Sequence, residues 1–421
     1  LGLRQLNNQI STTVISMSLI CLMLFMTISV LSSSLSLNST MRRDMQEMTP
    51  VDINLYKTAN LPESYQNPYT GKTEYYTEEQ IEDSKVSMEQ TLIENGFDMN
   101  NFKDTVEIPI YASSELTMED LLKGIEEMVK MQFPQLRYDA PEEIIKVSDY
   151  NKIARLYGNQ EYSLEDNQFI VLCDFDSMKT LRDQALKEND IITLKGKEYK
   201  AKYDECQEGF IDMSSSHINT GIILVPDSVE FTDSEKEKTF LAANYNANTE
   251  EEKENIEKIF TDESNSELYK NIIEKGLNFD GMTKISIIES SVGVATMVVF
   301  ISIYLGIIFL IASSAILALK QLTESSDNKE RYNILRKLGA DEKIINKALF
   351  KQIGLFFIFP LILAIIHSIF GIQFVMTLMS VLASSEELLP SIIATVIVMG
   401  AVYGLYFLAT YIGSKNIIKE E

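Results

Sequence analysis

Four stretches of this 421-residue chain contain no Asp, Glu, Lys or Arg, and each is long enough to cross a bilayer. They lie between Arg4 and Arg42, from Ser290 to Leu319, from Gln352 to Ser385 and from Leu388 to Ser414. The hydrocarbon core of a membrane takes roughly 20 apolar residues of helix. A helix on a soluble core keeps one polar face in water and rarely runs this far without a charge. The expected fold is therefore an α-helical membrane protein with four transmembrane helices, at 8–37, 285–319, 352–385 and 388–414. A large extracellular mixed α/β domain, 38–284, is inserted between the first and second. Residues 320–351 form a loop and 415–421 a tail. The opening Leu1-Gly2-Leu3-Arg4 is the start expected of a fragment or a processed chain. The segment from Ile10 to Leu35 is too long for a signal-peptide core and has no A-x-A site, so it is expected to be a permanent anchor.

Orientation follows from basic residues. The stretch from Lys320 to Lys351 carries eight Lys and Arg against five Asp and Glu, whereas the turn between the last two spans holds only Glu386 and Glu387. The positive-inside rule puts the basic loop in the cytoplasm. Four spans then place both termini in the cytoplasm, in agreement with Arg4, Lys415 and Lys419, and the large domain outside a cell membrane. From Arg42 to Glu289 there are 26 basic and 52 acidic residues, a net of −26, against a net of −24 for the whole chain. An acidic field of this size raises the local concentration of cations and cationic peptides, and it equally solubilises a surface.

Within the outer domain, Thr117 to Glu119-Asp120 opens an apolar series that predicts one helix to about Gln132. Gln168 to Phe175 and Gly221 to Val225 are compact apolar runs suited to buried strands. Ser177 to Asn189 follows as a helix. Ile191 to Tyr203 alternates as strands about a turn at Lys195-Gly196. Glu78 to Glu94 and Glu250 to Lys275 are charged helices, and Tyr65 to Tyr76 is expected to be a loop.

Catalytic and nucleotide motifs are missing: there is no G-x-x-x-x-G-K-[ST], G-x-G-x-x-G or H-E-x-x-H. The chain is expected to be a non-catalytic subunit with no cofactor, no metal and no nucleic-acid partner. Ser326-Asp327-Asn328-Lys329 overlays two penicillin-interacting strings in one loop, where they cannot form separate walls of a site. The two histidines, His217 and His367, do not make a metal site. Cys173 and Cys206 are expected either to pair in an oxidising exterior or to stay as buried thiols, and Cys21 is a small apolar residue of the first span.

Inside the membrane, Gly400 and Gly404 form a G-x-x-x-G in the last span, and Ser302 with Gly306 a similar pair in the second. Such pairs let helices approach closely, within this subunit or against a second half. Pro360 is expected to kink the third span. His367, 16 residues beyond Lys351 and so roughly 24 Å along the helix, is either a functional intramembrane group or a packing histidine.

The basic loop is the most specific part. Tyr332, Leu335 and Leu338 recur at helical spacing, Gly339 is a helix stop, and a second helix begins near Asp341. Such a short amphipathic helix suits a docking partner or an anionic lipid surface. The run Tyr332-Asn333-Ile334-Leu335-Arg336-Lys337-Leu338-Gly339-Ala340, with Gln352, Phe359-Pro360-Leu361 and Ala364-Ile365-Ile366-His367-Ser368, resembles the FtsX-like permease domain of ABC transporters. More narrowly, it is similar to the bacitracin-resistance branch. That branch has ten spans with an outer domain between the seventh and eighth, so the chain corresponds to the seventh span onward.

The resemblance implies a permease subunit that couples hydrolysis by a separate cytoplasmic ABC ATPase, expected as a homodimer, to movement of the outer domain. It implies antimicrobial-peptide resistance or sensing, a peptide or lipid-linked extracellular ligand, and a membrane histidine kinase as a further partner. The coupling helix that docks on the ATPase would use Arg331, Tyr332, Leu335, Arg336, Leu338 and Gly339. Two other readings stand beside it. One is an FtsX-type scaffold controlling a cell-wall hydrolase, whose outer domain is generally smaller than the 248 residues here. The other is a lipoprotein- or macrolide-type exporter, which carries an E-I-G string where this chain has Asn333-Ile334-Leu335-Arg336.

Overall fold

The computed structural model describes residues 10–66, 71–262, 266–275, 279–379 and 388–419. The chain divides into two compact units, Leu1–Arg42 with Val292–Glu421, and Arg43–Ser291.

In chain order, α1 (Ile10–Glu47) leads to β1 (Ile53–Thr58), a small hairpin of β2 (Ser64–Gln66) and β3 (Thr73–Tyr75), and the helices α2 (Glu78–Lys85) and α3 (Met88–Glu94). There follow β4 (Phe102–Thr117), α4 (Met118–Leu121), α5 (Glu126–Gln132), β5 (Pro141–Lys146), α6 (Val147–Tyr157), β6 (Gln168–Leu172) and α7 (Asp176–Glu188). The inserted unit is completed by β7 (Ile191–Leu194), β8 (Lys197–Ala201), β9 (Ile222–Val225), β10 (Lys236–Tyr245), α8 (Glu250–Thr261), α9 (Glu267–Lys275) and β11 (Phe279–Thr283). Four helices close the chain: α10 (Lys284–Asp327), α11 (Lys329–Lys337), α12 (Glu342–Met379) and α13 (Leu388–Ile417).

Nine strands form one mixed sheet in the order β11-β1-β10-β4-β5-β9-β6-β8-β7. Within it β5/β9 and β6/β8 pair in parallel, and a parallel bridge also joins Leu172 of β6 to Gln207. Alternate residues of a strand point to opposite faces, and here both faces are dry. Ile170 and Leu172 of β6 join Ile222 and Leu224 of β9 under α6, while Phe169 and Val171 join Ile223 and Val225 on the other face with Met178 and Leu186 of α7. A continuous apolar run is what a strand covered on both sides requires. Towards the β1 end, Ile53, Leu55, Leu241 and Ala243 pack against Leu92, Phe260 and Ile272 of α3, α8 and α9.

Several expectations meet this architecture directly. The Lys195-Gly196 turn joins β7 to β8 with both residues at positive φ, +54° and +68°. The single helix expected to reach Gln132 is two, because Gly124 adopts φ +98° and breaks the chain between α4 and α5. Glu78 to Glu94 is likewise two helices, with Ser87 capping the second through Gln90 N–H. Part of the Tyr65 to Tyr76 stretch is a paired hairpin, Ser64 opposite Tyr75, rather than a loop. The turn with Glu386 and Glu387, the opening Leu1 to Arg4 and the tip of that hairpin lie outside the described residues.

The unit that holds Val292–Glu421 is apolar outside as well as inside. Among the described residues, four helices are long and apolar enough to cross a membrane: Val14–Glu47, Lys284–Asp327, Glu342–Thr377 and Leu389–Ile417. Phe300, Phe359, Ile397 and Leu405 are each about two-thirds exposed, a surface that only lipid solvates well. The helices overrun the expected spans: α10 continues to Asp327 and α12 begins at Glu342, so most of the basic 320–351 stretch is helical. Contacts between these helices use small residues. A Cβ on Gly306 would lie 2.7 Å from Leu31, and one on Gly371 would lie 2.6 Å from Phe25, so α1 sits hard against both α10 and α12. Thr27 Oγ donates to Gly306 O at 3.3 Å, and Ser32 Oγ to Thr395 Oγ1 of α13 at 3.0 Å. Buried hydroxyls that donate across helices in this way satisfy polar groups within the bundle.

Candidate functional site

The short helix α11 is built by its ends. Asn328 precedes it, and Gly339 follows it at φ +86°. Gly339 N–H donates to Arg336 O and Ala340 N–H to Leu335 O, the paired bonds of a Schellman ending. A residue with a Cβ is strained at that φ. Asp341 starts α12 at once, accepting from Lys343 N–H at 3.1 Å. The reversal from α10 through α11 into α12 thus takes only a few non-helical residues.

Two sides of α11 differ. Ile334, Leu335 and Leu338 are 57, 40 and 78% exposed, and Arg331 and Lys337 flank them in solvent. Tyr332 and Arg336, one helical turn apart, face the chain's own bundle instead. Tyr332 O–H donates to Gln352 Oε1 of α12 at 3.2 Å, and Gln352 Nε2 donates to Glu324 Oε1 of α10 at 3.4 Å. Gln321 Nε2 reaches the other oxygen of Glu324 at 3.3 Å. Arg336 donates to Glu342, to Asn333 at 2.9 Å and to the carbonyl of Ile418, after α13, at 2.6 Å. Tyr332 and Arg336, grouped in the sequence with the docking residues, are held towards the bundle by Gln352, Glu342 and the Ile418 carbonyl. Ile334 joins the exposed apolar face. Its signal was its place one residue before Leu335 and four before Leu338.

The intramembrane candidates are dispersed. α12 runs through Pro360, and Tyr403 of α13 donates to Phe357 O at 2.8 Å, in the turn that proline cannot close with its own N–H. His367 is exposed on the outer face of α12, its Nδ1–H donating to Leu363 O of its own helix at 2.7 Å. Gly400 and Gly404 have open space where a Cβ would stand. With Gly354, Phe357 and Tyr403 they line an apolar cavity of about 740 Å³. Close helix approach falls on Gly306, the glycine of the second-span pair, and on Gly371 and Gly413.

In the inserted unit, polar chemistry gathers at the end of β6. Asp174 accepts from Asn219 N–H at 2.8 Å and faces His217 Nδ1 at 3.3 Å, while His217 Nε2 lies 3.7 Å from Glu47. The Asp174 hydrogen bond raises the His217 pKa above its ordinary value, against the effect of burial, with Asp44 and Glu47 adding to it. Arg182, 2% exposed, forms a two-pronged pair with Glu142 at 2.8 and 3.0 Å and donates to Thr220 O at 2.7 Å. A buried charge of this kind stands only because it is paired and hydrogen-bonded. Among the described residues no group of three or more His, Cys, Asp or Glu is placed to hold a metal ion.

The described residues thus form four helices long and apolar enough to cross a membrane, with a mixed α/β domain inserted after the first and an exposed amphipathic helix between the second and third. The profile of the FtsX-like permease C-terminal family matches residues 303–421, which includes α11, α12 and α13. The chain therefore carries an FtsX-like permease C-terminal domain. It is homologous to the bacitracin export permease BceB of Bacillus subtilis (strain 168), with 29% identity over 247 residues, 55% of this chain and 35% of that one. BceB of Halalkalibacterium halodurans is 34% identical over 122 residues, 29% of this chain and 18% of its own length. The ABC transporter permease protein YxdM of Bacillus subtilis is 26% identical over 108 residues, 26% of this chain and 17% of that protein. Each match spans about a third or less of the relative's length.

Proposed function

We propose that this chain works as a permease subunit of an ABC transporter of the bacitracin-resistance type. The exposed apolar face of α11 is the observation that carries this reading. Ile334, Leu335 and Leu338 stand in solvent between basic residues, at the junction of two spans, which is a costly surface unless another protein covers it. A separate cytoplasmic ATPase, working as a dimer, docks there. Its motion passes through the Tyr332–Gln352–Glu324 chain to α12 and α10 together, and through Arg336 to the end of α13. Both termini are cytoplasmic, and the acidic domain stands outside and meets a cationic peptide or a lipid-linked antibiotic. A membrane histidine kinase reads the same movement. The likeness to bacitracin export permeases supports the substrate class, and the net charge of the inserted domain supports a cationic ligand.

The test is co-purification of the membrane protein in detergent with the ATPase of its cell, with and without Leu335→Asp. A stoichiometric ATPase that is lost in the variant is expected. Equal recovery with both forms overturns the assignment of α11, and recovery with neither overturns the permease reading.

A further inference from the structure

Cys173 and Cys206 are 33 residues apart in sequence and come together in one core on the α7 side of the sheet. Cys173, just past β6, is 0% exposed and Cys206 is 4% exposed. The backbone holds them as neighbours: Cys173 N–H donates to Gln207 O at 3.0 Å, and Gln207 N–H to Val171 O at 2.8 Å. Asp183 fixes the Cys206 segment by accepting from Cys206 N–H at 2.6 Å. The two side chains are hydrogen-bonding neighbours, and both are thiols in this structure.

Their surroundings distinguish the two sulfurs. Cys173 Sγ–H donates to Asn219 O at 3.3 Å. The guanidinium of Arg182 acts on both cysteines, and its Nη1 has no hydrogen-bond partner among the described residues. The Cys206 hydrogen bond, followed by that positive charge, holds the Cys173 thiol below its ordinary pKa in spite of burial, whereas Cys206 is pushed up. A thiolate beside a guanidinium is the nucleophile of thiol–disulfide exchange, and a second thiol in contact is the resolving group.

We propose that Cys173 and Cys206 are an oxidisable pair that a disulfide-class oxidant converts to an intradomain disulfide on the outer side of the membrane. The inference rests on the outward placement of the inserted domain given above. Cys173 thiolate attacks one sulfur of the oxidant, forming a mixed disulfide and releasing one thiolate. Cys206 passes its proton to that thiolate and attacks the Cys173 sulfur, expelling the second oxidant sulfur as a thiolate, which takes up the proton that Cys173 released to water on ionising. Two cysteine thiols are oxidised, and one external disulfide is reduced to two thiols. Because both sulfurs are buried, the exchange takes place as the domain folds or opens locally. The bond ties the end of β6 to the segment that Asp183 holds against α7.

The experiment uses the full chain in cells exposed to oxidised glutathione, quenched in acid, unfolded and alkylated without reductant. The chain has three cysteines. Labelling at Cys21 alone, with a Cys173–Cys206 linked peptide that separates on reduction, is expected. The Cys173→Ala and Cys206→Ala variants should each gain one labelled thiol, at the surviving partner. Three labelled thiols in the wild type, or glutathione left on a single cysteine, overturn the pair. External protease on intact cells reports placement separately. Cleavage within 43–291 together with free thiols refutes only the pair, whereas a protected domain with free thiols refutes the placement and the proposal with it.

Discussion

Replacing Leu338 with Asp removes the most exposed apolar side chain of the α11 face and puts a carboxylate in its place. Leu338 is 78% exposed in the chain alone. Burying a whole leucine side chain stabilises by about 1.5–3 kcal/mol, so covering the exposed part of this one contributes about 1–2 kcal/mol. Since about 1.4 kcal/mol is a tenfold change in affinity, Leu338→Ala should weaken ATPase docking by roughly tenfold. Asp adds the cost of an unpaired carboxylate in the contact, about 1–3 kcal/mol more, and takes the loss to about 100-fold. Leu335, 40% exposed, should lose about half as much on truncation to Ala. The assay is the equilibrium dissociation constant between the ATPase and the permease in nanodiscs. Folding is read in parallel from the thermal transition, which stays in place because both side chains already face solvent. A dissociation constant within twofold of wild type for Leu338→Asp and Leu335→Asp would refute the docking argument. Tyr332→Phe is the complementary perturbation. It deletes the bond to Gln352 without touching the exposed face, so affinity is retained while ligand-stimulated hydrolysis falls; a loss of affinity would show that Tyr332 is part of the face.

Three further outcomes follow from the packing. Gly306→Val drives a side chain into Leu31 and should cost about 1–3 kcal/mol by overpacking, whereas Gly400→Ala and Gly404→Ala enter open space and stay near neutral. Detergent-denaturation midpoints separate the two cases. Arg182→Leu leaves Glu142 buried without its partner and should cost about 3–5 kcal/mol, read as a lost or lowered thermal transition of the inserted domain. For His217, a pKa raised in the folded state gives stability that is fully present below the unfolded value of about 6.5 and is lost as pH rises through the raised value. His217→Gln should flatten the stability profile across that window, and an unchanged slope would show that Asp174 and Glu47 do not engage the charged ring.

What the sequence settled by itself is whatever depends on runs of residues along one element. A helix in lipid must be apolar on every side, so absence of charge over whole spans is visible without any knowledge of neighbours. The same locality made β6, β9, the β7–β8 turn and the Gly339 stop legible, because each is fixed by a few consecutive residues. The tertiary structure decided everything that depends on which side of an element meets which neighbour. Tyr332 and Leu335 look equivalent on a helical wheel, and only the presence of Gln352 on α12 and Ile418 beyond α13 turns Tyr332 and Arg336 inward. A G-x-x-x-G string states that close approach is allowed, not where it occurs, and the contact fell on Gly306 and Gly371 because α1 passes there. Cys173 and Cys206 became neighbours through a single bridge between distant segments, and no spacing along the chain encodes that.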